Sequence, residues 1–111
     1  MSRTSTLPSA RAWLPMELTG KQKRGLRALG HHLKPVMTIG KQGVVDSVLD
    51  QLEANLLAHE LIKVKVLKTC PLAPAVVAST FAERTGAALA QSVGRTLLLY
   101  RPHPDEPVLQ V

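Results

Sequence analysis

Gly40, Lys41, Gln42 and Gly43 form the stretch of this sequence best placed to do chemistry. Glycine tolerates positive φ and lets another backbone come close. An apolar run, Val36 to Ile39, precedes the four residues, and an amphipathic pattern follows them. A loop that ends at a helix N-terminus offers unpaired N–H groups and the positive end of the helix dipole, which together suit a phosphate. Lys41 adds a mobile cation at the tip and Gln42 a neutral donor. The same four residues equally suit a tight strand-to-helix turn that holds no ligand.

Other uses of such a loop fail on the residues. A Walker loop needs Gly-x-x-x-x-Gly-Lys-Ser/Thr, which is absent, and the dinucleotide fingerprint needs a third glycine where Asp46 stands. Gly-x-x-Gly leading into a helix is the device by which KH domains clamp a nucleic-acid backbone. The surrounding charge fits that use. Between Leu18 and Gly43 lie Lys21, Lys23, Arg24, Arg27, Lys34 and Lys41, with no acid among them. A basic block on a folded domain marks a polyanion footprint, or else a solvated face that keeps the chain dispersed. Only Trp13, Phe81 and Tyr100 are aromatic. A surface that stacks bases on exposed rings needs more of them, so any nucleic acid is expected to be held through phosphates and shape.

Enzyme readings find little support, and no catalytic residue, metal ligand or cofactor is expected. His31 and His32 are adjacent, about 100° apart on a helix, and do not suit one metal. His59 is expected to be a half-buried capping residue, and His103 lies in the C-terminal tail. No carboxylate pair or nucleophile–base set is evident. The lone Cys70 cannot make an internal disulfide and fits a reducing cytoplasm. No apolar run approaches the ~20 residues that span a bilayer, and no secretory h-region stands at the N-terminus.

The elements that must position the loop follow from periodicity. Thr19 to Leu33 reads as a helix with Thr19 as N-cap. Leu18, Gln22, Leu26, Leu29 and Leu33 fall on one stripe, while Lys23, Arg24, Arg27 and His31 share another face, with Lys21 beyond its edge. Val36 to Gly40 reads as a buried strand. Val45, Val48, Leu49, Leu52 and Leu56 mark a second helix, with Asp46, Asp50 and Glu53 outside. Residues 61–67 alternate, Ile62, Val64 and Val66 against Lys63 and Lys65, as a strand with one buried and one cationic face. Residues 73–85 form a third helix with Val76, Val77 and Phe81 inward and Gly86 as C-cap. "ALAQSVG" and "TLLLYRP" make a closing hairpin around Gly94 and Arg95. The order α-β-α-β-α-β-β predicts one α/β domain with a four-stranded mixed sheet.

With 111 residues the chain is long enough for one self-sufficient core. Residues 1–15, rich in Ser, Thr, Arg and Pro, are expected to be a flexible tail; Arg3 and Arg11 faintly resemble a presequence, and Trp13 is expected on the domain edge. The domain is expected over 16–103, with an irregular tail at 104–111.

Three segments, "LTGKQKRGLRALGHHLKPVMTIGKQGV", "HELIKVKVL" and "TGAALAQSVGRTLLLYRP", together resemble the CRM-domain family, whose bacterial single-domain members are YhbY-like. The resemblance runs from about Leu18 to Pro102. It implies a domain similar to the C-terminal domain of translation initiation factor three, with a KH-like loop. Bacterial members of the family associate with precursors of the large ribosomal subunit, and multidomain plant members assist group II intron splicing. The resemblance thus implies a cytoplasmic RNA-binding protein of ribosome assembly, with ribosomal RNA as partner, no membrane and no small-molecule substrate. A monomer is expected. Carried over, the loop is Gly40, Lys41, Gln42 and Gly43. Helix and strand phase attach Lys21, Lys23, Arg24, Arg27, Lys34, Lys63 and Lys65 to it as the cationic surface. The competing reading is a protein-interaction module on the ribosome whose loop has no direct RNA role.

Overall fold

Thr19 starts the first helix by a reciprocal cap. Its hydroxyl accepts the Gln22 N–H at 3.1 Å, and the Gln22 side chain accepts the Thr19 N–H at 2.9 Å. Helix α1 runs Gly20–Gly30, followed by β1 (Pro35–Ile39), α2 (Asp46–His59), β2 (Leu61–Val66), α3 (Pro74–Thr85), β3 (Ala88–Val93) and β4 (Thr96–Tyr100). This computed structural model describes residues 18–105 with Pro107 and Leu109. The tail expected at 1–15, with Arg3, Arg11 and Trp13, lies outside the described residues.

The element order and the α/β class are as the periodicity predicts. The sheet order is β1-β2-β4-β3, with β1 parallel to β2 and the other pairs antiparallel. A strand–helix–strand passage forces the parallel pair, and the short Gly94–Arg95 turn forces the last antiparallel one. Helices α2 and α3 cover one face and α1 covers the other. The larger core lies under α2 and α3. Ile62, Val64 and Val66 of β2 meet Leu97 and Leu99 of β4 there, beneath Leu52, Leu56, Val77 and Phe81. Each large side chain so buried contributes ~1.5–3 kcal/mol. The smaller core, under α1, holds Leu26, Leu61, Ala90, Leu98 and Tyr100.

Several expectations are corrected. Strand β1 is an edge strand, not a buried one: Met37 and Ile39 point into the core, while Val36 is 42% exposed at an irregular register between Pro35 and Met37. On α1 the inward line runs through Leu26 and Gly30, and Leu29 and Leu33 stand exposed. A side chain at Gly30 would put its Cβ 2.7 Å from Leu98 Cδ1, so bare backbone makes the contact there and turns Leu29 away. Leu33 lies past the helix end. Val76 is also exposed, because α3 packs through Val77, Ala78 and Phe81. Val45 stands 37% exposed as the residue before α2, outside its packed stripe. His59 is exposed rather than a half-buried cap. The chain leaves α2 through Glu60 at φ 60°, whose N–H donates to the Leu56 carbonyl.

Two charged residues of the closing segment are spent on the fold. Arg95 donates from Nε to the Val66 carbonyl and from Nη2 to the Leu67 carbonyl, both at 2.8 Å. Arg101 grips Glu53 with both of its terminal nitrogens and also donates to the Thr85 carbonyl at 2.9 Å. Glu53 therefore departs from the free outer face expected of it. Glu60, buried, accepts the backbone N–H groups of His103 at 2.7 Å and Leu109 at 2.9 Å, which binds the C-terminal segment to the domain. Burial, with the Glu60 carboxylate nearby, pushes the Tyr100 hydroxyl above its usual range.

Replacing Arg95 with Ala strands two carbonyls and is expected to cost ~2–3 kcal/mol, against under ~0.5 kcal/mol for Arg27→Ala on the exposed face of α1. Urea unfolding of both variants reads the difference. The Arg101 hydrogen bonds hold the Glu53 carboxyl below the usual carboxylate range. A carboxyl depressed by folding stabilises above its unfolded pKa and loses that contribution as pH falls through the folded one. The stability gap between the parent protein and Glu53→Gln is therefore expected to be present at pH 7 and to close towards pH 3. Because the Glu53 side chain is 45% exposed, the gap is ~1 kcal/mol or less. A gap that widens on acidification would refute this account.

Candidate nucleic-acid interface

Parallel pairing brings the ends of β1 and β2 side by side. The Leu67 N–H donates to the Ile39 carbonyl at 2.9 Å, immediately before Gly40. The loop then closes on itself, with the Gly43 N–H donating to the Gly40 carbonyl at 3.0 Å, so Lys41 and Gln42 occupy the exposed tip. Gly43 is buried at φ +70°, and a Cβ there would stand 3.3 Å from Pro71 Cγ. Gly40 needs no unusual φ, and a Cβ on it would meet Leu67 Cδ1 at 3.6 Å, an ordinary contact. The two glycines thus do different things: Gly43 is demanded by the turn, while Gly40 leaves the backbone bare beside the tip.

Helix α2 begins directly behind this loop, with Val45 as an N-cap that makes no side-chain bond. Its carbonyl takes the Val48 and Leu49 N–H groups. The first-turn N–H groups of Asp46 and Ser47 receive no capping side chain. Asp46, exposed in the same turn, offsets part of the dipole field there. Attraction for an anion at the tip is therefore carried chiefly by lysines.

Those lysines stand on the α1 side of the sheet. Lys63 is half-buried and Lys65 exposed, both opposite the core side of β2. Lys65 pairs across to Thr38, which leads to the loop through Ile39. Lys21, Lys23, Arg24 and Arg27 are exposed on α1, and Lys34 is exposed in the link to β1. Lys21 stays apart from the others by helical phase. Among the described residues none of these seven forms an ion pair; the recorded pair is Glu53–Arg101. The side chains of His31 and His32 meet edge to face with ring centroids 5.1 Å apart. Among the described residues no group of three His, Cys, Asp or Glu could hold a metal ion, and no helix is long and apolar enough to cross a membrane.

Periodicity missed three contributors. Lys68 is exposed on the 67–70 segment that flanks Gly40. Arg95 locks that segment through Leu67. Gln91 joins the α1 side only because β3 shifts register between Leu89 and Gln91. Of these, only Lys68 carried a sequence signal, as a cation just past a strand already read as cationic.

Residues 18–101 match the CRS1 / YhbY (CRM) domain. The chain is 39% identical to the Probable RNA-binding protein YqeI of Bacillus subtilis, across 85% of this chain and 98% of that protein. It is 38% identical to an RNA-binding protein of Haemophilus influenzae, across 82% and 92%. The solution structure of the hypothetical protein SAV1595 from Staphylococcus aureus superposes with a TM-score of 0.66 at 40% identity, covering 77% of this chain and 88% of that one. With the family's domain matched along nearly all of the described fold and two relatives spanned almost end to end, this chain belongs to the CRS1 / YhbY (CRM) domain family.

Proposed function

We propose that this protein is a cytoplasmic, monomeric RNA-binding protein that attaches to structured ribosomal RNA in large-subunit precursors and assists their assembly, making and breaking no covalent bond. The observation that carries the reading is one of placement. The bare Gly40 backbone and the exposed Lys41–Gln42 tip stand at the end of an edge strand whose neighbour carries Lys63 and Lys65, with no acid among the described residues paired to either. Relatives named as RNA-binding proteins support RNA as the polyanion. The choice of ribosomal RNA rests on the family resemblance.

In this reading Gly40, Lys41, Gln42 and Gly43 hold the RNA backbone. Lys63, Lys65, Lys34, Lys23, Arg24 and Arg27 neutralise phosphates, Lys21 adds long-range attraction, and Lys68 extends the contact past Gly40. Binding led by phosphates positions the RNA without reading its sequence.

If about five phosphates are neutralised, log K against log[salt] should slope by roughly −3 to −5. Lys41→Asp/Gln42→Asp alters two exposed residues, so the unfolding midpoint should hold while RNA affinity falls about tenfold and the slope flattens by about 1. In cell lysate the parent protein should sediment with large-subunit precursors on a sucrose gradient and the variant should remain at the top. Unchanged RNA binding by the variant would remove the loop from the site and favour a protein-interaction module.

The two glycines should separate by experiment. Gly43→Ala forces a side chain into the left-handed region and is expected to cost ~1–2 kcal/mol of stability. Gly40→Ala should leave stability within ~0.5 kcal/mol yet lower RNA affinity, because its methyl keeps a phosphate from the backbone. Denaturation and RNA titration on the same samples decide; full affinity in Gly40→Ala would show that nothing approaches there.

A further inference from the structure

Helix α1 covers only part of its face of the sheet. Beyond its C-terminal end a groove of about 330 Å3 opens, lined by His31, Lys63, Gln91, Val93, Thr96 and Leu98. We propose that this groove receives one unpaired nucleotide of the bound RNA, with the base against Val93 and Leu98, its edge read by Gln91 and Thr96, and its phosphate beside Lys63. The inference rests on the RNA-binding reading and adds to it a contact that discriminates among bases.

Size sets the first limit. The groove lies at the small end of the ~300–1,000 Å3 range of ligand clefts, on the scale of one nucleotide and far below that of a duplex. The lining sets the second. A Gln side chain presents both donor and acceptor, as does a Thr hydroxyl. A base edge offers donors and acceptors together, whereas a bare phosphate would leave the Gln91 carbonyl oxygen without use. Val93 and Leu98 supply an apolar floor, and Val93 is 60% exposed, the most open of the large apolar side chains among the described residues. Among the described residues no Phe, Trp or Tyr side chain lines the groove, so the base would be held by edge hydrogen bonds and aliphatic contact.

The backbone is shaped for this site. With strict alternation from Ala88, the side chains of Gln91 and Val93 would point to the α2–α3 side. The register shift between Leu89 and Gln91 instead pairs Gln91 with Leu98 and Val93 with Thr96, on the side that faces α1. A bulge that re-aims side chains is a frequent companion of binding sites. The groove also continues the cationic surface. Lys63 and Lys65 pair with Leu98 and Thr96 in the same two rows of the sheet, and His31 follows Arg27 and Arg24 in helical phase.

The test uses the full chain and five RNA stems, one fully paired and four carrying a single bulged nucleotide of each identity, titrated by fluorescence anisotropy. The protein is expected to bind at least one bulged stem about tenfold more tightly than the paired stem. Gln91→Ala/Thr96→Val should abolish that preference and keep paired-stem affinity within about twofold. Lys41→Asp/Gln42→Asp should weaken all five. Amide shifts at His31, Gln91, Val93 and Thr96 on adding the preferred stem, absent with the paired one, test the same point in the unaltered protein should the groove variant fail to fold. Equal affinity for all five stems, or a preference that survives in a folded groove variant, overturns the groove inference alone. No binding to any stem overturns the RNA-binding reading and the groove with it.

Discussion

The carboxyl end of β2 is the joint on which the exposed surface depends. Four hydrogen bonds meet there. The Val66 N–H donates to the Arg95 carbonyl at 2.7 Å, the Arg95 guanidinium donates to the Val66 and Leu67 carbonyls, and the Leu67 N–H donates to the Ile39 carbonyl. They tie the closing hairpin, the central strand and the end of β1 into one unit. A planar guanidinium suits two neighbouring carbonyls, which an ammonium cannot grip in the same fixed fork. Arg95 is therefore a cation invested in shape. It sets Leu67, Leu67 sets Ile39 and packs against Gly40, and the Lys41–Gln42 tip follows.

From that joint the two faces of the sheet diverge. Ile62, Val64 and Val66 give β2 a fully apolar side, which two helices cover. The other side begins apolar, at Leu61, and turns cationic at Lys63 and Lys65. One short helix suffices for the apolar half, held by Leu26 and by the bare backbone of Gly30 on Leu98. Extending α1 further would bury Lys63 and Lys65, and burying unpaired charge is costly. Where the helix ends, at Gly30, the groove opens beside Lys63.

Much of this was legible locally. The Thr19 cap, the alternation of β2, the left-handed Gly86 at φ 76° and the Gly94–Arg95 turn all depend on residues within a few positions of one another, and each formed as its pattern predicts. The failures share a different cause. Spacing alone puts Leu29 and Val76 inward, but which side of an amphipathic stripe is buried depends on the partner: Leu98 receives Gly30, and the core receives Ala78. The bonds from Arg95 to Leu67 and from Arg101 to Glu53 span long stretches of chain. The register shift that turns Gln91 towards α1 leaves no periodic trace, because a bulge breaks the period that would reveal it. The loop residues were visible in the sequence; the company they keep required the sheet order.

Charge completes the design. Among the described residues Asp46, Asp50, Glu53 and Glu83 lie on α2 and α3 and Asp105 in the C-terminal segment, while α1, the link to β1 and all four strands contain no acid. Glu60, between α2 and β2, is buried under backbone donors from the C-terminal segment. The sheet therefore stands between an acid-bearing helical layer and a cationic one. A formal net charge of +6 describes this poorly, since among the described residues Arg95 and Arg101 are engaged by the fold and Arg84 stands on α3, while Lys21, Lys23, Arg24, Arg27, Lys34, Lys63 and Lys65 belong to α1, the link to β1 and the α1 side of β2. A polyanion meeting such a molecule feels a torque as well as an attraction, repelled at one layer and drawn to the other. Such a field favours one orientation of approach, with the α1 side of the sheet turned towards the polyanion.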